Sequence, residues 1–234
     1  MRRLVVCAVL AVAPSAGAAQ TPVYRAGWGS AATAIGAGAL SLLPRAIGLP
    51  RGAPPCAPCN PASLPGIDRW VVGRNSRAAA TGSDLLLLGV TGGGLLASVR
   101  GVSAARARGD AAVLVTAISW TAATTEWVKV LVHRNRPVLY SVGAVSAAGD
   151  RDNRESFPSG HTSIAFAAAT SYAVMAHREH LPHATRNDIL LYAGATGVGA
   201  LRVAAGKHFM TDVIAGAALG VGVGWLTARI HPTR

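Results

Sequence analysis

Phe157-Pro158-Ser159-Gly160-His161-Thr162-Ser163 closes a polar, charged segment, Gly149 to Ser156, and opens an apolar run, Ile164 to Ala176. Pro158 restrains the chain just ahead of a helix, Ser159 is a good cap for it, and Gly160 lets another group come close to the backbone. A helix is therefore expected to start here. Its first amides have no intrahelical acceptor and carry the positive end of the helix dipole, so they attract anions. His161, in that first turn, stands where it could exchange protons with such an anion. Taken alone, the stretch reads equally well as an ordinary helix start with a surface histidine.

Two further clusters separate these readings. Upstream, Lys129 is followed after six residues by Arg136-Pro137; downstream, Arg202 is followed after five residues by His208 and after three more by Asp212. Three cations, two histidines and a carboxylate form a set suited to holding a phosphate and cleaving its ester. His208 and Asp212, at i and i+4, can share a face across a helix start. In this order and spacing the three clusters resemble the tripartite signature of the type-2 phosphatidic acid phosphatase superfamily, which takes in lipid phosphate phosphatases, bacterial acid phosphatases and vanadium haloperoxidases. The resemblance covers roughly residues 79 to 228. It departs at Leu201, where the family usually has serine before the arginine, which implies a lost supporting hydrogen bond and an intact cation.

The resemblance implies roles. His208 would be the nucleophile that takes the phosphoryl group, and Asp212 would hold one of its ring nitrogens protonated. His161 would protonate the leaving alkoxide and then activate water against the phosphohistidine. Lys129, Arg136 and Arg202 would surround the non-bridging oxygens, with Ser159 and the Gly160 amide as further donors. Three fixed cations can replace a divalent metal, so neither metal nor cofactor is expected. Glu126, one turn before Lys129 in apolar surroundings, reads as a salt-bridge partner that places Lys129. Lys207 and His133 are candidates to meet a head group, and Asp150 to Glu155 are expected to pair among themselves beside the site.

Composition supports a membrane setting. The chain is 51% hydrophobic and only 14% charged, with mean hydropathy +0.37. Its net charge of +12 is not arranged as a basic stripe interleaved with aromatics, which argues against nucleic acid and for anionic lipid surfaces and substrates. Residues 1–19 read as a secretory signal: Arg2 and Arg3, an apolar region Leu4 to Ala13, and Ala16-Gly17-Ala18 as a cleavage site. Residues 20–78 follow as an N-terminal helix (Ala26 to Leu43), a Pro-rich loop with Cys56 and Cys59, and an interfacial helix over Ile67 to Arg77. In an oxidising compartment the two cysteines are open to a local disulfide or to pairing between chains.

Residues 79–230 form the helical core, with apolar runs Ala79–Val99, Ala111–Val132, Ser163–Ala176, Ile189–Ala205 and Val213–Ile230. Glycines every fourth residue, at 216, 220 and 224 and at 89 and 93, predict close helix packing. Trp120, Trp127 and Trp225 suit a membrane-interface belt or lipid-facing packing. The expected fold is all-α, a helical bundle integral to a membrane with five or six spanning helices. Arginine-rich loops alternate with the loops that carry the motifs, which predicts motifs outside the cytoplasm of a bacterial-type inner membrane. With a cleaved signal, Ala26–Leu43 must lie on or pack against the outer face; with a retained one it spans. The expected activity is hydrolysis of lipid phosphate monoesters or pyrophosphates. A soluble periplasmic acid phosphatase and a vanadate-dependent haloperoxidase are the alternatives.

Overall fold

The computed structural model describes residues 23–233, so the expected signal at 1–19 lies outside the described residues. The fold is all-α, with no strand among those residues. Among the described residues six long helices form the bundle: α1 (Trp28–Ala46), α3 (Arg77–Val99), α4 (Ala104–Val132), α6 (Gly160–Arg178), α7 (Ala184–Ala204) and α8 (Met210–Ile230). Two single-turn helices, α2 (Gly66–Arg69) and α5 (Ala144–Ala147), lie in the connections at one end, and the interfacial helix expected over 67–77 shrinks to α2 and a turn.

Serines start two of the long helices, as their residue type predicts. Ser76 Oγ accepts from the Ala79 amide at 3.2 Å, and Ser103 Oγ from the Arg106 amide at 3.4 Å. The helices pack around small residues. Ala165, Ala168, Ala169, Tyr172 and Met175 of α6 are buried at the bundle centre with Val113 and Leu114 of α4. The glycine stripe of α8 lies directly on α6: a Cβ at Gly220 would come within 2.2 Å of Ser163 O. The second expected stripe behaves differently. Gly89 has nothing within 4 Å of a built Cβ, and α3 meets α7 instead at Gly194, whose Cβ would stand 2.6 Å from Val90 Cγ2.

α1 runs the length of the bundle along α4. Just before it, the Tyr24 hydroxyl donates to Ala228 O at the C-terminal end of α8 (3.2 Å) and Arg25 N donates to Pro232 O (2.9 Å). At its other end Arg45 reaches Asp152 at 3.3 Å, beside the motif loops. The helix expected over Ala26 to Leu43, open between lying on or packing against the outer face and spanning, thus packs along α4 from one end of the bundle to the other. Pro44 sits inside α1 and cannot donate to Leu40 O. The indole N–H of Trp127 donates to that carbonyl at 3.1 Å, so Trp127 fastens α4 to α1.

Two described helices, Arg77–Val99 and Met210–Ile230, are long and apolar enough to cross a membrane. Only 22% and 28% of their apolar windows are buried, so neither is an ordinary core helix. Leu85, Leu88, Trp120, Leu131, Ile189, Leu190, Ile214, Trp225 and Ile230 are exposed around the bundle.

Candidate active site

The C-terminal ends of α1, α4 and α7 and the first turns of α3, α6 and α8 meet at one end of the bundle. Between them is a cavity of about 380 Å³ whose wall carries Lys129, Arg136, Arg202, His161, His208 and the backbone of Gly160. All three sequence clusters are therefore brought together.

Each cation is held by a neighbour, and two of these neighbours, Glu126 and Asp152, also stand on the cavity wall. Lys129 Nζ donates to Glu126 Oε1 at 2.6 Å, the pairing expected for that carboxylate. Arg136 NH1 lies 2.9 Å from Asp152 Oδ2, and Arg202 NH1 donates to Ser83 Oγ at 3.3 Å. The Nε–H groups of Arg136 and Arg202 are buried and have no hydrogen-bond partner among the described residues. A buried donor without an acceptor is costly, and an anion in the cavity is the acceptor this arrangement suits.

His208 is 1% exposed, and its Nδ1 lies 2.7 Å from Ser156 O. A carbonyl can only accept, so in the neutral ring Nδ1 carries the proton and Nε2 keeps its lone pair. Burial, and then the field of Arg136, Arg202 and Lys129, push the His208 pKa well below its ordinary value. A neutral, singly oriented imidazole results.

Asp212 does not make the direct bond expected of it. Its Oδ2 is 3.8 Å from His208 Nδ1, too far for a hydrogen bond. That oxygen instead accepts from the Ser156 hydroxyl (2.6 Å) and the Phe209 amide (2.8 Å), so Asp212 closes the start of α8 and fixes Ser156. Its other oxygen accepts from Arg134. Arg134 also donates to Asp68 Oδ2 at 2.7 Å, and Asp68 accepts from the Thr211 amide (3.0 Å) and hydroxyl (2.7 Å). Burial alone would raise the Asp68 pKa, but the Thr211 and Arg134 donors outweigh it and hold the carboxyl below its usual range. Asp212 and His208 are thus linked by way of Ser156, whose hydroxyl donates to Asp212 and whose carbonyl is the nearer acceptor for His208 Nδ1.

His161 Nε2 lies 2.9 Å from Asp84 Oδ1, and Arg202 NH1 lies 3.6 Å from the same oxygen. Asp84 was not singled out by sequence, although it is the only carboxylate in the apolar run 79–99, the kind of isolated charge that drew attention to Glu126. Ser159 departs from expectation: it is fully buried, makes no side-chain cap, and its hydroxyl accepts from Thr162 (3.0 Å) away from the cavity wall. The 150–155 loop is not self-paired either. Asp152 binds Arg45 and Arg136, while Arg154 donates to the carbonyls of Pro50 and Arg51 (both 2.8 Å). Arg136, Lys129 and Arg45 more than offset the effect of burial and hold the Asp152 pKa below the carboxylate range. His133 ends α4 in a left-handed conformation, φ 50°, and is not on the cavity wall.

Cys56 and Cys59 form a local disulfide in the connection between α1 and α2, at the site end, where Cys59 N donates to Leu139 O at 2.8 Å.

No solved structure matches the chain. Among curated proteins it is similar to a lipid A 1-phosphatase of Porphyromonas gingivalis, 38% identical over 90 residues. That stretch is 37% of this chain, which spans only 18% of the relative's length. The PAP2 superfamily model matches residues 110–234, more than half of the chain and all three motif clusters. With that match, the chain belongs to the PAP2 superfamily.

Proposed function

We propose that the protein is a membrane phosphatase that hydrolyses lipid phosphate monoesters or diphosphates through a phosphohistidine on His208, without a metal. The observation that carries this reading is the cavity itself: three buried cations and two histidines face one space large enough for a phosphate. His208 Nε2 attacks phosphorus as the bond to the ester oxygen breaks, and His161 gives that oxygen its proton. His161 then takes a proton from water, which attacks the phosphohistidine and releases phosphate with His208 neutral again. Lys129, Arg136 and Arg202 stabilise the charge on the equatorial oxygens throughout.

A lipid substrate is favoured by the outer rim, where Leu42 of α1, Ala122 of α4 and Ile164 of α6 flank the cations. Leu42 is 67% exposed, so an acyl chain could lie against the bundle while its head group enters. The relative named for lipid A phosphatase activity supports the same substrate class. An oxidising exterior for the site end is favoured by the disulfide there.

The test is phosphate release by purified protein from a panel of lipid and soluble phosphate esters, with and without excess chelator. Release from lipid substrates that persists in EDTA and is inhibited by vanadate is expected. Loss of activity in EDTA, restored by Mg²⁺ or Zn²⁺, would remove the metal-free mechanism.

A further inference from the structure

A second cavity, of about 440 Å³, adjoins the first and shares one side chain with it, Arg136. Its other polar walls are Arg74 and Asn75 from the turn before α3, Ser141, Asn153 and Asp150 from the segment between α4 and α6, and Lys207 from the turn before His208. Three cations face one carboxylate, and that carboxylate is engaged, since Asp150 Oδ1 accepts from the Asp152 amide at 2.9 Å.

The cavity is framed by backbone as well as charge. Gly206 has φ +65°, and a Cβ there would stand 1.8 Å from Arg74 O, so the turn carrying Arg74 and the turn carrying Lys207 lie against each other. The second turn is further fixed by Lys207 N donating to Arg202 O at 3.1 Å. The Arg74 guanidinium carbon lies 4.4 Å from the Trp70 ring centroid and its Nε donates to Trp70 O at 3.4 Å, which fixes the guanidinium beside the cavity. None of Arg74, Asn75 and Lys207 faces the first cavity, and the mechanism above does not use them.

We propose that this second cavity binds an uncleaved second phosphate group of the substrate, so that the preferred substrates are lipids carrying two phosphate groups. The proposal rests on reading the first cavity as the phosphate-cleaving site. The cleaved phosphate sits against His208 with Arg136 at its side, and the other phosphate lies across Arg136, between Arg74 and Lys207. Guanidinium forks on both sides of one boundary suit two neighbouring phosphates better than one.

The experiment compares two short-chain lipids with the same acyl chains, dihexanoyl phosphatidate and dihexanoyl phosphatidylglycerol phosphate, using the full chain in detergent. For Arg74→Ala and Lys207→Ala, kcat/KM for the two-phosphate lipid should fall about tenfold or more, the equivalent of one lost charge-assisted contact, mainly through KM. The value for phosphatidate should stay within about twofold. Arg74→Lys, which keeps the charge and loses the fork, should lose less of the preference than Arg74→Ala. Equal losses on both lipids, or no loss on either, overturn the proposal.

If wild type turns over neither lipid, the reading of the first cavity fails and the second is judged on binding. His208→Ala should then bind the two-phosphate lipid more tightly than phosphatidate, and adding Arg74→Ala should erase that difference. Equal affinity of His208→Ala for the two lipids overturns the proposal on its own.

Discussion

At the residue scale, the two histidines are set apart by what holds them. His208 donates from Nδ1 to a buried carbonyl, while His161 meets a carboxylate at the cavity edge. His208→Ala should therefore remove turnover and any trapped phosphoenzyme together. His161→Ala should slow lipid turnover by about 10²- to 10⁴-fold, the usual worth of a general acid. That penalty should shrink with p-nitrophenyl phosphate, whose leaving group needs little protonation, and labelled phosphate should then accumulate on His208. Label on any other residue after an acid-free quench would refute the assignment.

The burial of neutral His208 also has a sign in pH. Its folded pKa lies well below the unfolded value of about 6.5, so below that pH the unfolded chain binds a proton that the folded chain refuses. The resulting stability is fully present above about pH 6.5 and is lost as pH falls toward the folded pKa. Melting temperature in detergent should drop from pH 7 to 5, and His208→Gln, which does not titrate, should flatten that slope. An unchanged slope in the variant would mean that other groups set the acid stability.

At the element scale, the helix starts and the clustering of motifs were legible because they rest on local signals: proline, glycine and serine before apolar runs, and cations at fixed spacing. What was not legible depended on contacts distant in sequence. Ser156 acts through its backbone carbonyl, which any residue type supplies, so no side-chain signal marked it. Neither Asp68, in the segment read as interfacial, nor Arg134, between two motif residues, carries a local signal, yet Arg134 joins Asp68 and Asp212 across 66 and 78 residues of sequence. Trp127 looked like a belt residue because nothing local reveals that Pro44 leaves the Leu40 carbonyl open.

That last pairing can be measured. Trp127→Phe keeps the ring but removes the donor, which should cost about 1–3 kcal/mol by leaving a carbonyl unsatisfied. Pro44→Ala restores an intrahelical donor to Leu40 O, so the Trp127→Phe cost should be smaller in that background. Additive losses in thermal unfolding would show that the indole N–H contributes nothing through that carbonyl.

At the scale of the whole molecule, the six long helices alternate in direction and sort the loops into two ends. One end holds the motifs, the second cavity and the disulfide; the other holds the α3–α4 and α6–α7 turns, with Arg100, Arg108 and Arg186, none ion-paired among the described residues. At the site end Lys129 pairs with Glu126, Arg45 and Arg136 with Asp152, and Arg134 with Asp68 and Asp212, while Arg74, Arg77, Arg151 and Lys207 form no ion pair among the described residues. Unpaired arginines therefore do not separate the ends, and the prediction that the site end faces away from the cytoplasm rests on the disulfide there. In a Cys7→Ser background, Ser146→Cys in α5 should react with a membrane-impermeant maleimide on intact cells, and Arg108→Cys, near the start of α4, only after lysis. Both positions are exposed, so burial does not confuse the comparison. Because α1 runs the length of the bundle, Arg25→Cys should behave like Arg108→Cys and not like Ser146→Cys. Labelling of Ser146→Cys only after lysis would invert the orientation, and labelling of Arg25→Cys on intact cells would separate α1 from the bundle end to which Pro232 ties it.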